Sequence, residues 1–390
     1  MIKIRPSIPA ARFVERLGAA RHRAESAGLD AILVGVGADL RYLSGYPAMP
    51  LERLTMLVVP ARGDWALIVP RLEAAPARLC PPAASGELPV VTWEEGDDAH
   101  ALVAGLVRDA PGAAGRGEIR VAVSDDLPAR HLLPLEGRLT GAQLSLASAV
   151  LRELRMVKDA DEIALLTLAA HAADRVVAQI AAGRLVGRTE ADVADEVRRR
   201  LTAEGHDEAH FAIVASGPNS SSPHHEASDR VIQAGEPIVL DIGGSFGGYQ
   251  SDITRTLWVT GGDAARGPDE RFRHLFAVLH GAQAVARAAV KLGIACDAVD
   301  AAARRPIEAE GYGDGFFHRT GHGIGLEGHE DPYIIRGNAE PLREGMAFSV
   351  EPGIYLPGIY GARIEDIVVC GPDRPIELNQ APRELYVVDG

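Results

Sequence analysis

Lysine is nearly missing from this 390-residue chain: it stands only at positions 3, 158 and 291, so arginine carries almost all the positive charge. We read that bias as GC-rich coding rather than function. Cysteine is just as scarce, and Cys80, Cys296 and Cys370 lie far apart without a CxxC pair. Nothing in that odd number points to a disulfide framework or a zinc knuckle. No run of 18 uninterrupted apolar residues appears, so no membrane span is expected. The opening MIKIRPSIPAARFVERL lacks the apolar core of a signal peptide, which makes the cytoplasm the default compartment. Positive charge is in deficit, with 40 Lys+Arg against 54 Asp+Glu. That balance argues against a nucleic-acid-binding surface.

What remains is the composition of an ordinary soluble globular protein, 47% hydrophobic and 24% charged. The length favours two domains. In the first half, residues 11–27 have helical spacing and Gly28 offers a C-cap. Residues 31–36 (AILVGV), 54–59 (LTMLVV), 66–69 and 90–93 read as buried strands, and PPAASGELP at 81–89 reads as a loop. The region is therefore a compact α/β unit, with a junction at 151–163.

Beyond it, Asp159 can N-cap a long helix carrying Ile163, Leu166, Ala170, Ala173, Val177 and Ile180 on one stripe. Thr189 opens a second helix with capping-box spacing, ending at Gly205. Residues 238–241 and 250–259 are expected to form a hairpin around GGSFGGY. Two more helices are expected at about 269–292 and 297–310, then a strand pair at 346–351 and 362–370. Two helix-plus-hairpin halves hint at an internal pseudo-duplication.

Five polar residues fall within these elements: Asp241 and Asp252 in DIGGSFGGYQSD, His322 in HRTGHGIGLEGHEDP, Glu351 in FSVEPG and Glu365 in ARIED. Taken singly, an Asp in DIGG is a turn residue and Glu351 a solvated strand end. Taken together, four carboxylates in one apolar neighbourhood must be protonated, paired or holding metal. Two divalent ions would offset their charge, and such a pair activates water near neutral pH. Strand alternation puts Asp252, Thr254 and Thr256 on one face, and Arg363 with Glu365 on one face. An Arg two residues from a metal-bound Glu can orient a carboxylate or a substrate group.

The histidines divide by context. His318, His322 and His329 share a loop with Gly321, Gly323, Gly325 and Gly328, whose lack of side chains lets backbone approach a ligand. Only His322 is needed as a ligand, leaving His318 and His329 for acid–base work or substrate binding. His224 and His225 stand in a polar loop, where exposure alone would explain them. His171, His274 and His280 lie on expected helices and read as structural or exposed.

These motifs resemble the pita-bread metallopeptidases, the group of prolidase, aminopeptidase P, methionine aminopeptidase and creatinase. HRTGHGIGLEGHEDP matches their HxxGHGIGLxxHExP pattern, and RMVKDADEI and RYLSGY resemble their linker and N-terminal segments. The resemblance implies an α/β N-terminal creatinase-like domain at 1–150. It implies an α+β pita-bread catalytic domain at 151–390, with a mixed or antiparallel curved sheet. It further implies that Asp241 chelates a first metal, His322 and Glu351 hold a second, and Asp252 and Glu365 bridge both. His224, His318 and His329 become substrate-contacting or proton-shuttling groups, Arg363 an orienting one, and Glu351 a carrier of protons to the leaving nitrogen. A separate N-terminal domain argues against methionine aminopeptidase, and a full ligand set argues against creatinase.

The implied activity is hydrolysis of Xaa-Pro bonds by two divalent ions, manganese first with cobalt or zinc as alternatives. A small Xaa-Pro peptide is the expected partner, a homodimer the expected assembly, and neither nucleic acid nor membrane is involved. The dipeptidase reading rests on Arg363 and nearby histidines gripping a free proline carboxylate. Its rival is an Xaa-Pro aminopeptidase acting on longer peptides. A non-peptidase C–N hydrolase or lyase of this fold, and a metal-free binding module, are opposed by the intact ligand set.

Overall fold

The computed structural model of the chain describes residues 6–111 and 118–390. Lys3 lies outside the described residues. The chain divides into two compact units, Ser7–Arg155 and Met156–Gly390.

The first unit is built on a six-stranded mixed sheet. Its strands are β1 (Ala31–Val34), β2 (Met56–Pro60), β3 (Ala66–Pro70), β4 (Val90–Trp93), β5 (Arg120–Val123) and β6 (Gln143–Leu146), in the order β4-β3-β2-β1-β5-β6. Residues of β1–β3 are buried on both faces, which is why they read as unbroken apolar runs rather than alternating ones. The Ala10–Ser26 helix stops where Gly28 takes φ +70°. The segment expected as loop at 81–89 holds one helical turn, Pro81–Ala84. A proline is tolerated at the first helical position, where its missing N–H costs nothing.

The second unit carries the site. Its opening helix, Ala160–Ala181, starts at a capping box: Asp159 accepts from the Glu162 amide, and Glu162 accepts from the Asp159 amide. By length and composition alone this helix could cross a membrane. Its Ala173, Val176, Val177 and Ile180 instead pack into a protein core, and it also buries Glu162 and Asp174.

That core lies between this helix, the Glu190–Ala203 helix and an inner sheet of β7 (Glu208–Ser216), β8 (Glu236–Phe246), β9 (Tyr249–Val259) and the late strand Tyr386–Val388. The β8–β9 hairpin is longer than its sequence pattern suggests. GGSF is strand, and only Gly247 and Gly248, at φ +62° and +91°, make the turn.

The other half repeats the plan. Helices Glu270–Ala289 and Cys296–Ala309 pack on an antiparallel sheet containing β10 (Gly321–Gly323), β11 (Glu330–Ile334) and β12 (Ala347–Val350). The single strand expected at 362–370 is two. After β13 (Gly353–Leu356), β14 (Tyr360–Arg363) pairs back onto it, whereas β15 (Asp366–Val369) pairs with β12. The chain breaks at Ile364–Glu365 because Ile364 turns into the apolar core, while the Glu365 amide donates to the Thr254 carbonyl of β9. That crossing ties the two halves together at the site.

Candidate metal centre

Alternation along β8 and β9 sends Leu240, Ile242, Ile253 and Leu257 into the helix-covered core. Asp241, Asp252 and Thr254 are thereby turned to the opposite face. β12 does the same, burying Phe348 and Val350 while Ser349 faces the site. His322 arrives on β10, a strand flanked so closely that only glycine fits beside the histidine. A Cβ on Gly321 would stand 1.8 Å from the Ser349 carbonyl oxygen, and one on Gly323 2.2 Å from that of Asp331.

The donors converge. One ligand atom each from Asp252, His322 and Glu365 lies within 4.8 Å of the others, and all three residues are buried. His322 Nε2 is 3.2 Å from Glu351 Oε1 and 3.8 Å from Asp252 Oδ2. Its Nδ1 meets the Gly323 carbonyl at 3.1 Å. A carbonyl can only accept, so Nδ1 carries a proton, and Nε2 is the nitrogen turned to the carboxylates and available to a metal. Ser349 Oγ accepts from the His322 amide and donates to Glu351, fixing both ligands.

Asp241 stands beside Arg363, whose Nη2 donates to Oδ2 at 2.5 Å. The other oxygen, Oδ1, is buried with no hydrogen-bond partner. Glu365 repeats the pattern: Oε2 accepts from Thr254 Oγ1 at 2.7 Å, and Oε1 has none. Buried, unpartnered carboxylate oxygens are costly unless a cation sits against them.

Electrostatics agree. Burial, then repulsion from Asp241 and Glu351, pushes the Asp252 carboxyl well above its ordinary range. Burial, then Asp252 and Glu351, does the same to Glu365. Burial raises Asp241 as well, against the opposing Arg363 charge. For Glu351 burial also acts upward, but His322, His318 and Arg363 outweigh it and bring the carboxyl down to about 2. Burial and mutual repulsion oppose ionisation of Asp241, Asp252 and Glu365, and divalent cations would relieve that repulsion. The residues fit a divalent metal centre.

Every site residue expected from the sequence lines one cavity of about 960 Å³: His224, Asp241, Asp252, His318, His322, His329, Glu351, Arg363 and Glu365. His329 is exposed at the mouth, its ring 3.9 Å from that of His322, and burial with the nearby His322 and Arg319 charges lowers it to about 4. It is therefore neutral at physiological pH. His318 is held at both nitrogens, Nδ1 donating to the Arg319 carbonyl and Nε2 accepting from Tyr355 Oη at 3.2 Å.

One expectation needs correction. Arg363 does not stand ready for a substrate carboxylate. Its guanidinium is buried and donates to Thr254 Oγ1, Tyr355 Oη, the Pro223 carbonyl and Asp241. A single Nη2–H is left, too few for a bidentate clamp, so Arg363 orients Asp241 and, through Thr254, Glu365.

Ser349 and Arg255 escaped the sequence reading, and Thr254 entered it only as a neighbour on the Asp252 face. Ser349 and Thr254 each lie two residues from a ligand on the same strand face, a signal that alternation supplies. Arg255 gave no signal: it sits on the opposite face, fully buried, donating to the Glu365 carbonyl at 2.6 Å and to Asp366 at 2.7 Å.

The arrangement is a carboxylate-rich candidate metal centre between the two sheets of the second unit. Metallopeptidase family M24 matches residues 164–372, and the creatinase/prolidase N-terminal domain matches residues 16–157. The crystal structure of dipeptidase PepE from Mycobacterium ulcerans superposes with a TM-score of 0.89 at 46% identity, covering 98% of this chain and 99% of that one. An Xaa-Pro dipeptidase of Pyrococcus horikoshii is 32% identical over 92% of this chain and 94% of its own. The X-Pro aminopeptidase of Thermotoga maritima superposes with a TM-score of 0.80 at 28% identity, over 94% and 100% of the two chains. The chain belongs to metallopeptidase family M24, the pita-bread metallopeptidases.

Proposed function

We propose that this protein hydrolyses Xaa-Pro bonds with two divalent ions and prefers Xaa-Pro dipeptides. The observation that carries the metal reading is the pair of buried, unpartnered oxygens, Asp241 Oδ1 and Glu365 Oε1, facing a cavity shared with His322, Asp252 and Glu351. Asp241 would serve one ion, His322 and Glu351 the other, and Asp252 and Glu365 both. When bound, such a pair supplies an activated water and polarises the scissile carbonyl. A donor set of four carboxylates and one imidazole suits manganese, with cobalt or zinc as alternatives.

The chain's own groups do the rest. Neutral His329 and exposed His224 flank the cavity mouth, placed to donate to the oxygen on which charge develops. Glu351, ionised at neutral pH, accepts a proton and passes it to the departing proline nitrogen, which has no N–H of its own. With Arg363 committed, we assign a substrate's free carboxylate to Arg319. Its guanidinium lies 4.6 Å over the Tyr333 ring and reaches His329.

The dipeptide preference draws on the names of the relatives. The aminopeptidase reading has one observation in its favour. Phe317, His318, Arg319 and Ile335 also line a neighbouring cavity of about 640 Å³, which leaves room beyond a proline. Comparing Ala-Pro, Gly-Pro and Xaa-Pro-Xaa peptides with added manganese separates the two. We further propose a cytoplasmic homodimer. The three cysteines, all buried and free, support a reducing compartment.

A further inference from the structure

The loop that carries His224 has almost no regular structure of its own, being one 3₁₀ turn at Gly217–Ser221 followed by irregular chain. A loop of that kind presents a histidine in one place only if something outside it fixes its course. The carboxylate of Glu190, in the first turn of the Glu190–Ala203 helix, is positioned to do so. Its side chain is fully buried. Oε1 accepts from the Ser216 amide and from Ser216 Oγ, both at 2.7 Å. Asn219 Nδ2 reaches both oxygens at 3.1 Å. Oε2 accepts from His225 Nε2 at 2.7 Å, and from Ser228 through its amide at 3.2 Å and Oγ at 2.7 Å.

The donors therefore come from the start, the middle and the end of one loop, residues 216–228, and His225 is the immediate neighbour of His224. The far side of the loop is held separately. Ser220 Oγ accepts from the Gly361 amide, and the Pro223 carbonyl accepts from Arg363. A buried carboxylate this well supplied with donors is structurally expensive to build and has no reaction of its own to perform, since it does not line the cavity.

We propose that Glu190 is a positioning residue: it gathers the 216–228 loop through Ser216, Asn219, His225 and Ser228 and thereby sets His224 at the mouth of the metal cavity. The inference rests on the functional reading of His224 given above. A carboxylate that merely stabilised the fold would lower Tm without any special relation to His224. One that acts through His224 must lose its influence on turnover once that imidazole is gone.

The test is a double-mutant cycle on the metal-loaded full chain, with kcat and KM for a Gly-Pro substrate, metal content and Tm measured for each variant. Glu190→Gln removes the charge, and His225→Leu removes one anchor while sparing the rest if Glu190→Gln does not fold. Each should lower kcat by roughly 10- to 100-fold, the usual scale for groups that orient another. Metal content should stay near that of the wild type, and His225→Gln, which keeps a donor, should lose less than His225→Leu. In a His224→Ala background the same substitutions should have little further effect on kcat. A loss of equal size in that background overturns the proposal while leaving His224 in its role. If His224→Ala alone leaves turnover unchanged, the functional reading fails and the positioning role falls with it.

Discussion

Asp252 and Glu365 show at the level of single residues why the cluster needs cations. Both are buried among other carboxylates, and burial with that repulsion opposes the ionised form of each. If they serve both ions, Asp252→Ala or Glu365→Ala should empty the centre of both together, whereas His322→Ala should mainly weaken one. Elemental analysis of the purified variants reads this directly, and an active enzyme with one ion or none contradicts it. His329 belongs to a different class. Its Nδ1 contacts Arg319 and its ring lies against that of His322, so it can be removed without opening a ligand position. His329→Ala should lower turnover by roughly 10²–10⁴-fold while metal content holds, the scale of a lost acid–base or oxyanion group. Full activity would remove it from the mechanism.

At the scale of elements, two pieces of backbone decide the geometry. β10 is sandwiched so tightly that Gly321→Ala drives a methyl group into the Ser349 carbonyl, with backbone rather than side chain as the obstacle. We expect a stability loss of about 1–3 kcal/mol or more, with weakened metal binding, readable by thermal unfolding and metal titration. The first turn of the Glu190–Ala203 helix adds a pH signature. Donors from Ser228, Ser216 and His225 outweigh the effect of burial and bring Glu190 from its ordinary 4.5 to about 2. A depressed carboxyl stabilises the fold fully above its unfolded pKa, and that stability is lost as pH falls from about 4.5 towards 2. The contribution is on the order of 3 kcal/mol, so Glu190→Gln should flatten the acid limb of the stability profile. An unchanged limb would show that the carboxylate is not held this way.

The same elements show what a sequence can disclose. Asp241, Asp252 and His322 were legible because motif spacing and strand alternation are local properties. The break between β14 and β15 was not, because residues 362–370 are apolar enough for one strand. What interrupts them is a long-range bond from the Glu365 amide to Thr254. Arg363 was assigned to substrate for a similar reason. Four of its five N–H donors go to Thr254, Tyr355, Pro223 and Asp241, partners that sequence distance hides. The N-cap at Asp159 and the capping-box spacing at Thr189, by contrast, are patterns within four residues and are legible in the sequence.

For the whole molecule, the described residues form two units, and all five proposed metal ligands come from the second. The first unit should then be dispensable for holding metal but not for selecting substrate, which is a fold-level expectation. Light scattering should report a homodimer, and a fully active monomer would remove that part of the account. The central claim is metal-dependent cleavage at proline with a dipeptide preference. Its most direct test is kcat/KM for Gly-Pro, Gly-Ala and Gly-Pro-Gly on the manganese-loaded protein and on the same protein after chelation. Gly-Pro should be cleaved best, Gly-Ala and Gly-Pro-Gly should be poorer substrates, and chelation should abolish all activity. Hydrolysis that survives chelation, or no preference for proline with both ions bound, would contradict it.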